Sequence, residues 1–329
     1  TINKLLKYPE DSAGSIMTTE YVTLKKTMTV KQAMNHIKDI GIHKETIYTC
    51  YVTENKKLIG IVTAKSLMTS DDDENITNLM NTNIISVHTH TDQEQVAHLF
   101  RKYDLIAMPV LDSDGCLVGI VTFDDAMDVM VDETNEDISR MAAMEPNEKT
   151  YFETTVWQQA KHRILWLLVL MFSATITGSI ITRYENAFST VPLLVSFIPM
   201  LMDTGGNCGS QSSTLVIRGL AVGEIEFSDL FKVIWKEIRI AFCISIILSV
   251  VNGIRIMLMG QGDATMAFTI GLTMACTVLI AKVVGCTLPL VAKKIGLDPA
   301  IMATPLISTL VDISTISVYF AIVSHVFQL

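Results

Sequence analysis

Apolar and polar positions are distributed unevenly along this chain of 329 residues. Up to about residue 160, short apolar runs are broken by charge, as in the strands and amphipathic helices of a water-exposed domain. The rest reads differently. Between Arg163 and Arg183 lie 19 uncharged residues, ILWLLVLMFSATITGSIIT. At ~1.5 Å per residue such a helix crosses a hydrocarbon core of ~30 Å. Residues 186–217, 240–262, 264–292 and 299–329 follow with one charge each: Asp203, Arg255, Lys282 and Asp312. The pattern predicts five membrane-spanning helices. Residues 224–239, EIEFSDLFKVIWKEIR, predict a separate amphipathic helix on the inner membrane face. Lys161 and Arg163, then Lys232, Lys236 and Arg239, then Lys293 and Lys294 mark the cytoplasmic side. The expected topology is multi-pass in the cell (inner) membrane, with the soluble half in the cytoplasm and the C-terminus outside. Arg255 and Lys282 fall nearer the expected span ends, from where long stems can snorkel.

The soluble half contains an internal repeat. MTTEYVTLKKTMTVKQAMNHI from Met17 is matched by MNTNIISVHTHTDQEQVAHLF from Met80, and each copy later reaches GIVT, at 60–63 and 119–122. Each copy reads strand, helix, strand, strand, helix, with hairpins expected at 48–62 and 108–121.

Charge changes the picture further. Residues 1–153 carry a balance of −11 and residues 154–329 a balance of +2. An acidic soluble half argues against nucleic acid as a partner and suits cations. Residues 123–137 hold seven acidic side chains and no basic one. Such crowding repels itself unless cations screen it, although a solvated acidic helix face would read the same way. The run at 71–74 is read as a solvated loop. The six Cys form no C-x-x-C pair, so zinc and redox readings are weak. No Ser/His/Asp or Cys/His arrangement and no G-x-x-x-x-G-K-[ST] loop is present, which argues against an enzyme and against an ATP-driven pump.

Ionisable residues inside a membrane are costly and point to function. Thr304, Ser308 and Asp312 recur at i, i+4 in the last span, with Thr315 three further on. Asp203, Asn207, Gln211, Thr214 and Arg218 form a second stripe, with Gly205, Gly206 and Gly209 around Asn207. Small residues allow close helix approach, so helix packing and an aqueous path both remain open. Oxygen donors with a carboxylate suit a hard cation; Mg²⁺ commonly takes one or two carboxylates and keeps its remaining water.

The paired repeats resemble tandem cystathionine-β-synthase-type (CBS) domains. The motifs PMLMDTGGNCGSQSSTLVIRGLA at 199–221 and GLDPAIMATPLISTLVDISTISVYF at 296–320 resemble the MgtE family of magnesium channels, related to solute carrier family 41. The resemblance covers essentially the whole chain. The expected fold class is α+β tandem CBS domains followed by an all-α polytopic membrane domain of five transmembrane helices. The expected domains are a lead-in at 1–14, CBS repeats at 15–76 and 77–131, a connecting (plug) helix at 132–160 and a pore domain at 161–329.

The resemblance implies a homodimeric Mg²⁺ channel in which Asp312 recognises hydrated Mg²⁺ and the segment around Asn207 helps form the pore. It implies regulatory Mg²⁺ at Glu94, Asp104, Asp125, Asp128, Glu133, Glu136 and Asp298. CBS pairs also bind ATP or other adenine nucleotides. Asp125 fits the ribose position of the second copy, whereas Lys65 and Ser66 replace the pairing expected in the first. Family members carry an acidic helical domain ahead of the CBS pair, and without its ligands closure by Mg²⁺ is expected to weaken. The alternatives are a carrier of another divalent ion, Mn²⁺ or Co²⁺, and a nucleotide-sensing membrane regulator.

Overall fold

A computed structural model describes residues 8–147, 150–184, 191–260, 262–302 and 304–328. The chain divides into two compact units, Thr1–Thr134 and Asn135–Leu329.

In the first unit each repeat folds as a three-stranded sheet. The first has β1 (Val22–Lys25), β2 (Thr49–Glu54) and β3 (Lys57–Thr63), with α1 (Val30–Ile40) between β1 and β2 and α2 (Ala64–Thr69) after β3. β1 pairs parallel with β2, and β2 pairs antiparallel with β3. The second has β4 (Val87–His88), α3 (Gln93–Tyr103), β5 (Ala107–Leu111), β6 (Leu117–Thr122) and α4 (Phe123–Met141) in the same order and pairing. Local signals explain the elements. Thr29 and Gln32 form a capping box at the start of α1, whose buried face is Val30, Ala33 and Ile37. Asn55 and Lys56 take positive φ in the two-residue β2–β3 turn.

The two repeats exchange their leading segments. Thr18 bridges to Ile120, and Asn81 bridges to Ile61. Met17 lies over Gly119 and Met80 over Gly60: a Cβ at these glycines would meet the Met sulfur at 2.5 and 2.7 Å. Ile76, Leu79 and Met80 therefore complete the core of the first repeat, while Tyr8, Ala13, Ile16 and Met17 complete that of the second.

The second unit is helical. α4 ends at Met141, where Ala143 adopts positive φ. The expected connecting helix is thus interrupted before α5 (Val156–Arg183), which Thr155 and Gln158 cap. Then come α6 (Ile198–Ala221), α7 (Leu230–Leu258), α8 (Ala264–Lys294) and α9 (Thr304–Phe327). Among the described residues four helices are long and apolar enough to cross a membrane: Val156–Arg183, Phe227–Leu258, Ala264–Lys294 and Pro299–Phe327. The fifth expected span differs. α6 has 24 residues, ample for ~30 Å, but its polar stripe keeps it out of that group. Of the expected stretch 186–217, residues 186–190 lie outside the described residues, and a 3₁₀ turn at Pro192–Phe197 leads into α6.

Two expectations are corrected. The separate inner-face helix at 224–239 does not exist; its residues from Leu230 run straight into the span as α7, because no Gly or Pro interrupts 230–252. Lys282 does not snorkel: it is 3% exposed.

α8 is the most enclosed of the four, with Thr269, Ile270, Thr273, Met274, Thr277, Val278 and Ala281 all buried. α6 runs parallel to it, Gly205 against Thr277 and Gly209 against Ala281. α6 runs antiparallel to α9, Gly205 against Thr315 and Gly209 against Ile307. α5 packs chiefly on α9 and buries only Thr177.

Candidate functional site

The glycines set the site. A Cβ on Gly206 would lie 3.2 Å from the Ser308 hydroxyl oxygen, and one on Gly205 would lie 2.8 Å from Val311. Without side chains there, α6 lies directly on the Ser308–Asp312 face of α9. The α6 surface is then sharply divided. Gly205, Gly206, Gly209, Ser212 and Ser213 are buried, whereas Asp203, Asn207, Gln211, Thr214 and Arg218 are exposed. Ser308 and Asp312 are half-buried on α9. Thr304 opens α9, and its side chain lies outside the described residues. The result is a seam of carboxylate, amide and hydroxyl oxygens along one open face of the helical unit. Its chemistry is that of a hard cation retaining its water.

Sequence reasoning missed a buried cluster behind this seam. The Ser212 hydroxyl donates to Glu237 Oε2 at 2.6 Å and accepts from Lys282 Nζ at 3.0 Å, and Lys282 Nζ lies 3.5 Å from Glu237 Oε2. The three are 0%, 6% and 3% exposed for Ser212, Glu237 and Lys282. The available signal was charge complementarity: Lys282 is the one charge of its span, and Glu237 the one acid between Asp229 and Asp263.

The expected regulatory carboxylates fall in both units. In the first, Glu94 lies in the opening turn of α3, and Asp104 caps its end with positive φ. Asp125 accepts from the Thr122 hydroxyl at 2.6 Å, Asp128 is exposed, and Glu133 accepts from Gln93 at 2.9 Å. In the second unit, Glu136 and Asp298 both pair with Arg140. Asp298 also caps Ala300 at 2.7 Å, and Met141 packs on Ile217 and Ala300. Among the described residues no group of three His, Cys, Asp or Glu could hold a metal ion. The nucleotide candidates occupy matching places: Ser66 is bonded to Thr63, as Asp125 is to Thr122, and Lys65 is exposed.

Comparison with known proteins places two family models on the chain. One, described as MgtE, a divalent cation transporter, matches residues 198–322; the other, the CBS domain, matches 13–72 and 76–132. The chain is 34% identical over 326 residues to the magnesium transporter MgtE of Thermus thermophilus and 37% identical over 322 residues to that of Bacillus subtilis. Each alignment covers 98% of this chain and 71% of the relative. A crystal structure of the cytosolic domain of the Mg²⁺ channel MgtE in complex with ATP aligns at 40% identity with a TM-score of 0.38. It covers 39% of this chain and 52% of that one.

Proposed function

The chain belongs to the MgtE family of magnesium transporters, which are not enzymes, and from that premise we propose that it forms a homodimeric Mg²⁺ channel of the inner membrane. One observation carries the reading. The open face of α6 bears Asp203, Asn207 and Gln211 in a helical unit otherwise suited to lipid. Polar side chains at that depth face water or protein. A second copy supplies the cover, and a two-fold axis between the copies brings two Asp312 carboxylates to one path.

In this reading α6 is the second of five spans. Parallel α6 and α8 with antiparallel α9 fit five alternating crossings, and the Lys/Arg clusters put the CBS pair in the cytoplasm and the C-terminus outside. Thr304, Ser308, Gly205 and Gly206 belong to the same path, the glycines by leaving room for it. The ion enters hydrated: the seam offers a few fixed oxygens, and Mg²⁺ sheds water reluctantly. The membrane potential contributes ~2.3 kcal/mol per charge per 100 mV, hence about twice that for a divalent ion.

Gating uses the acidic side chains. The donors Glu94, Asp104, Asp125, Asp128, Glu133, Glu136 and Asp298 are all carboxylates, a set suited to Mg²⁺. Regulatory Mg²⁺ supplies positive charge that relieves their repulsion and favours the closed form. Arg140 already holds Glu136 and Asp298 together, tying the end of α4 to the entrance of α9. Adenine nucleotide, ATP included, is assigned to the Lys65, Ser66 and Asp125 positions.

The test is Mg²⁺ entry into proteoliposomes loaded with a Mg²⁺-sensitive dye, wild type against Asp312→Ala. Entry that disappears in the variant supports the channel reading. Equal entry in both removes Asp312 from the path, and preferential entry of Mn²⁺ or Co²⁺ overturns the choice of ion.

A further inference from the structure

The Ser212, Glu237 and Lys282 cluster takes no part in the path described above, yet among the described residues it holds the most enclosed ion pair of the helical unit. Its three members come from three helices. Ser212 lies on α6, one residue beyond the exposed Gln211; Glu237 lies on α7 and Lys282 on α8. A buried ion pair contributes little net stability against apolar replacements of equal volume, and its best-attested use is to fix one arrangement of helices. Here the pair is closed through a single hydroxyl, which donates to the carboxylate at 2.6 Å and accepts from the ammonium at 3.0 Å. A hydroxyl with both roles filled tolerates little rotation of the helix that carries it.

Apolar side chains seat the two ends of α6, Ile198 and Leu201 before the glycines and Val216, Ile217 and Leu220 after them, while the middle of its interface rests on Gly205, Gly206 and Gly209, which carry no side chain. Apolar contacts are non-directional; the directional restraint next to that stretch comes from the Ser212 hydrogen bonds, with a longer one from Ser213 to the Met302 carbonyl at 3.3 Å. Successive residues stand ~100° apart around a helix. A roll of one position would carry buried Cys208 to the place of exposed Asn207 and withdraw Asn207 from the seam.

We propose that Ser212, Glu237 and Lys282 are positioning residues that lock the roll of α6 and so determine which side chains the ion meets. This rests on the reading of α6 as lining the ion path. The lock itself has a readout independent of transport. Cys208 is 6% exposed, and a thiol reacts as its thiolate, which forms where water reaches it. Labelling of Cys208 by a small maleimide, located by peptide mass, therefore reports the roll.

The experiment compares wild-type dimer in liposomes with Ser212→Ala, with Glu237→Leu/Lys282→Met, which removes both charges together, and with the exchanged pair Glu237→Lys/Lys282→Glu. The expected result is Cys208 labelling at least tenfold faster in the first two. Their preference for Mg²⁺ over Ca²⁺ entry falls several-fold, and the exchanged pair recovers both properties in part. Wild-type labelling and wild-type preference in the apolar pair overturn the proposal and reduce the cluster to packing. Should the charge variants fail to elute as a single species, Ser212→Ala decides alone, since it removes one hydroxyl and leaves the ion pair. Faster Cys208 labelling in a protein whose wild type carries no Mg²⁺ would uphold the lock and sink the channel reading.

Discussion

Gly285→Ala places one methyl group where α6 and α8 cross most closely. The added Cβ would lie 2.3 Å from the Gly209 carbonyl oxygen and 3.1 Å from the Gly209 Cα. Both neighbours are backbone, so no rotamer change relieves the clash; the helices must part by about 1 Å locally to reach ordinary contact at 3.4 Å. Overpacking of this kind costs ~1–3 kcal/mol, and the unyielding partner puts it at the upper end. Replacing Gly by Ala inside a helix returns ~1 kcal/mol. The net expectation is about 2 kcal/mol of destabilisation, or a fall of roughly 4–8 °C in Tm for a unit of this size. Gly253→Ala is the control, because a Cβ there meets nothing within 4 Å; it should hold or raise Tm. The assay is thermal loss of the monodisperse peak in size-exclusion chromatography of the detergent-solubilised protein. A Gly285→Ala variant at least as stable as Gly253→Ala would refute the close crossing and with it the argument that α6 is seated on glycines.

Two further outcomes can be measured directly. Arg140→Gln removes the cation shared by Glu136 and Asp298; a half-exposed ionic contact is worth ~1 kcal/mol, so initial Mg²⁺ entry at low internal Mg²⁺ should rise about fivefold, and an unchanged rate would dismiss the contact as a restraint. Burial pushes the Cys50 thiol up to about 12, so in the native protein at pH 7–8 Cys50 should resist maleimide while the half-buried Cys116 reacts; equal labelling of the two would contradict the enclosed first-repeat core.

What the sequence made legible was whatever repeats or follows a period. The doubled MTT/MNT and GIVT segments give two sheets of one topology, and the uncharged run after Arg163 gives α5. Boundaries set by an absence were harder. The basic residues Lys232, Lys236 and Arg239 marked a membrane edge, but an edge does not end a helix; only a breaker does, and none occurs before Gly253. Pairings across long separations left no more than the weak signal of complementary charge. Ser212 and Lys282 meet 70 residues apart, and a buried lysine near a span end reads like a snorkelling one until its partner is located. Arg140 escaped notice for a related reason. It lies just past the acidic stretch of α4, and its contact with Asp298, 158 residues away, is made only in the folded unit.

The exchanged leading segments bear on synthesis and on evolution. As the chain leaves the ribosome, the first sheet lacks Ile76 and Met80 when its own strands are complete, and Met17 has no seat until Gly119 emerges. The first repeat therefore closes its core only once Met80 has been made, whereas the second must recover Ala13, Ile16 and Met17 from a segment made long before it. Deleting either repeat would strip the survivor of part of its own core, Leu79 and Met80 from the first or Ile16 and Met17 from the second. Tolerated deletions in this region should be found only as loss of the whole pair.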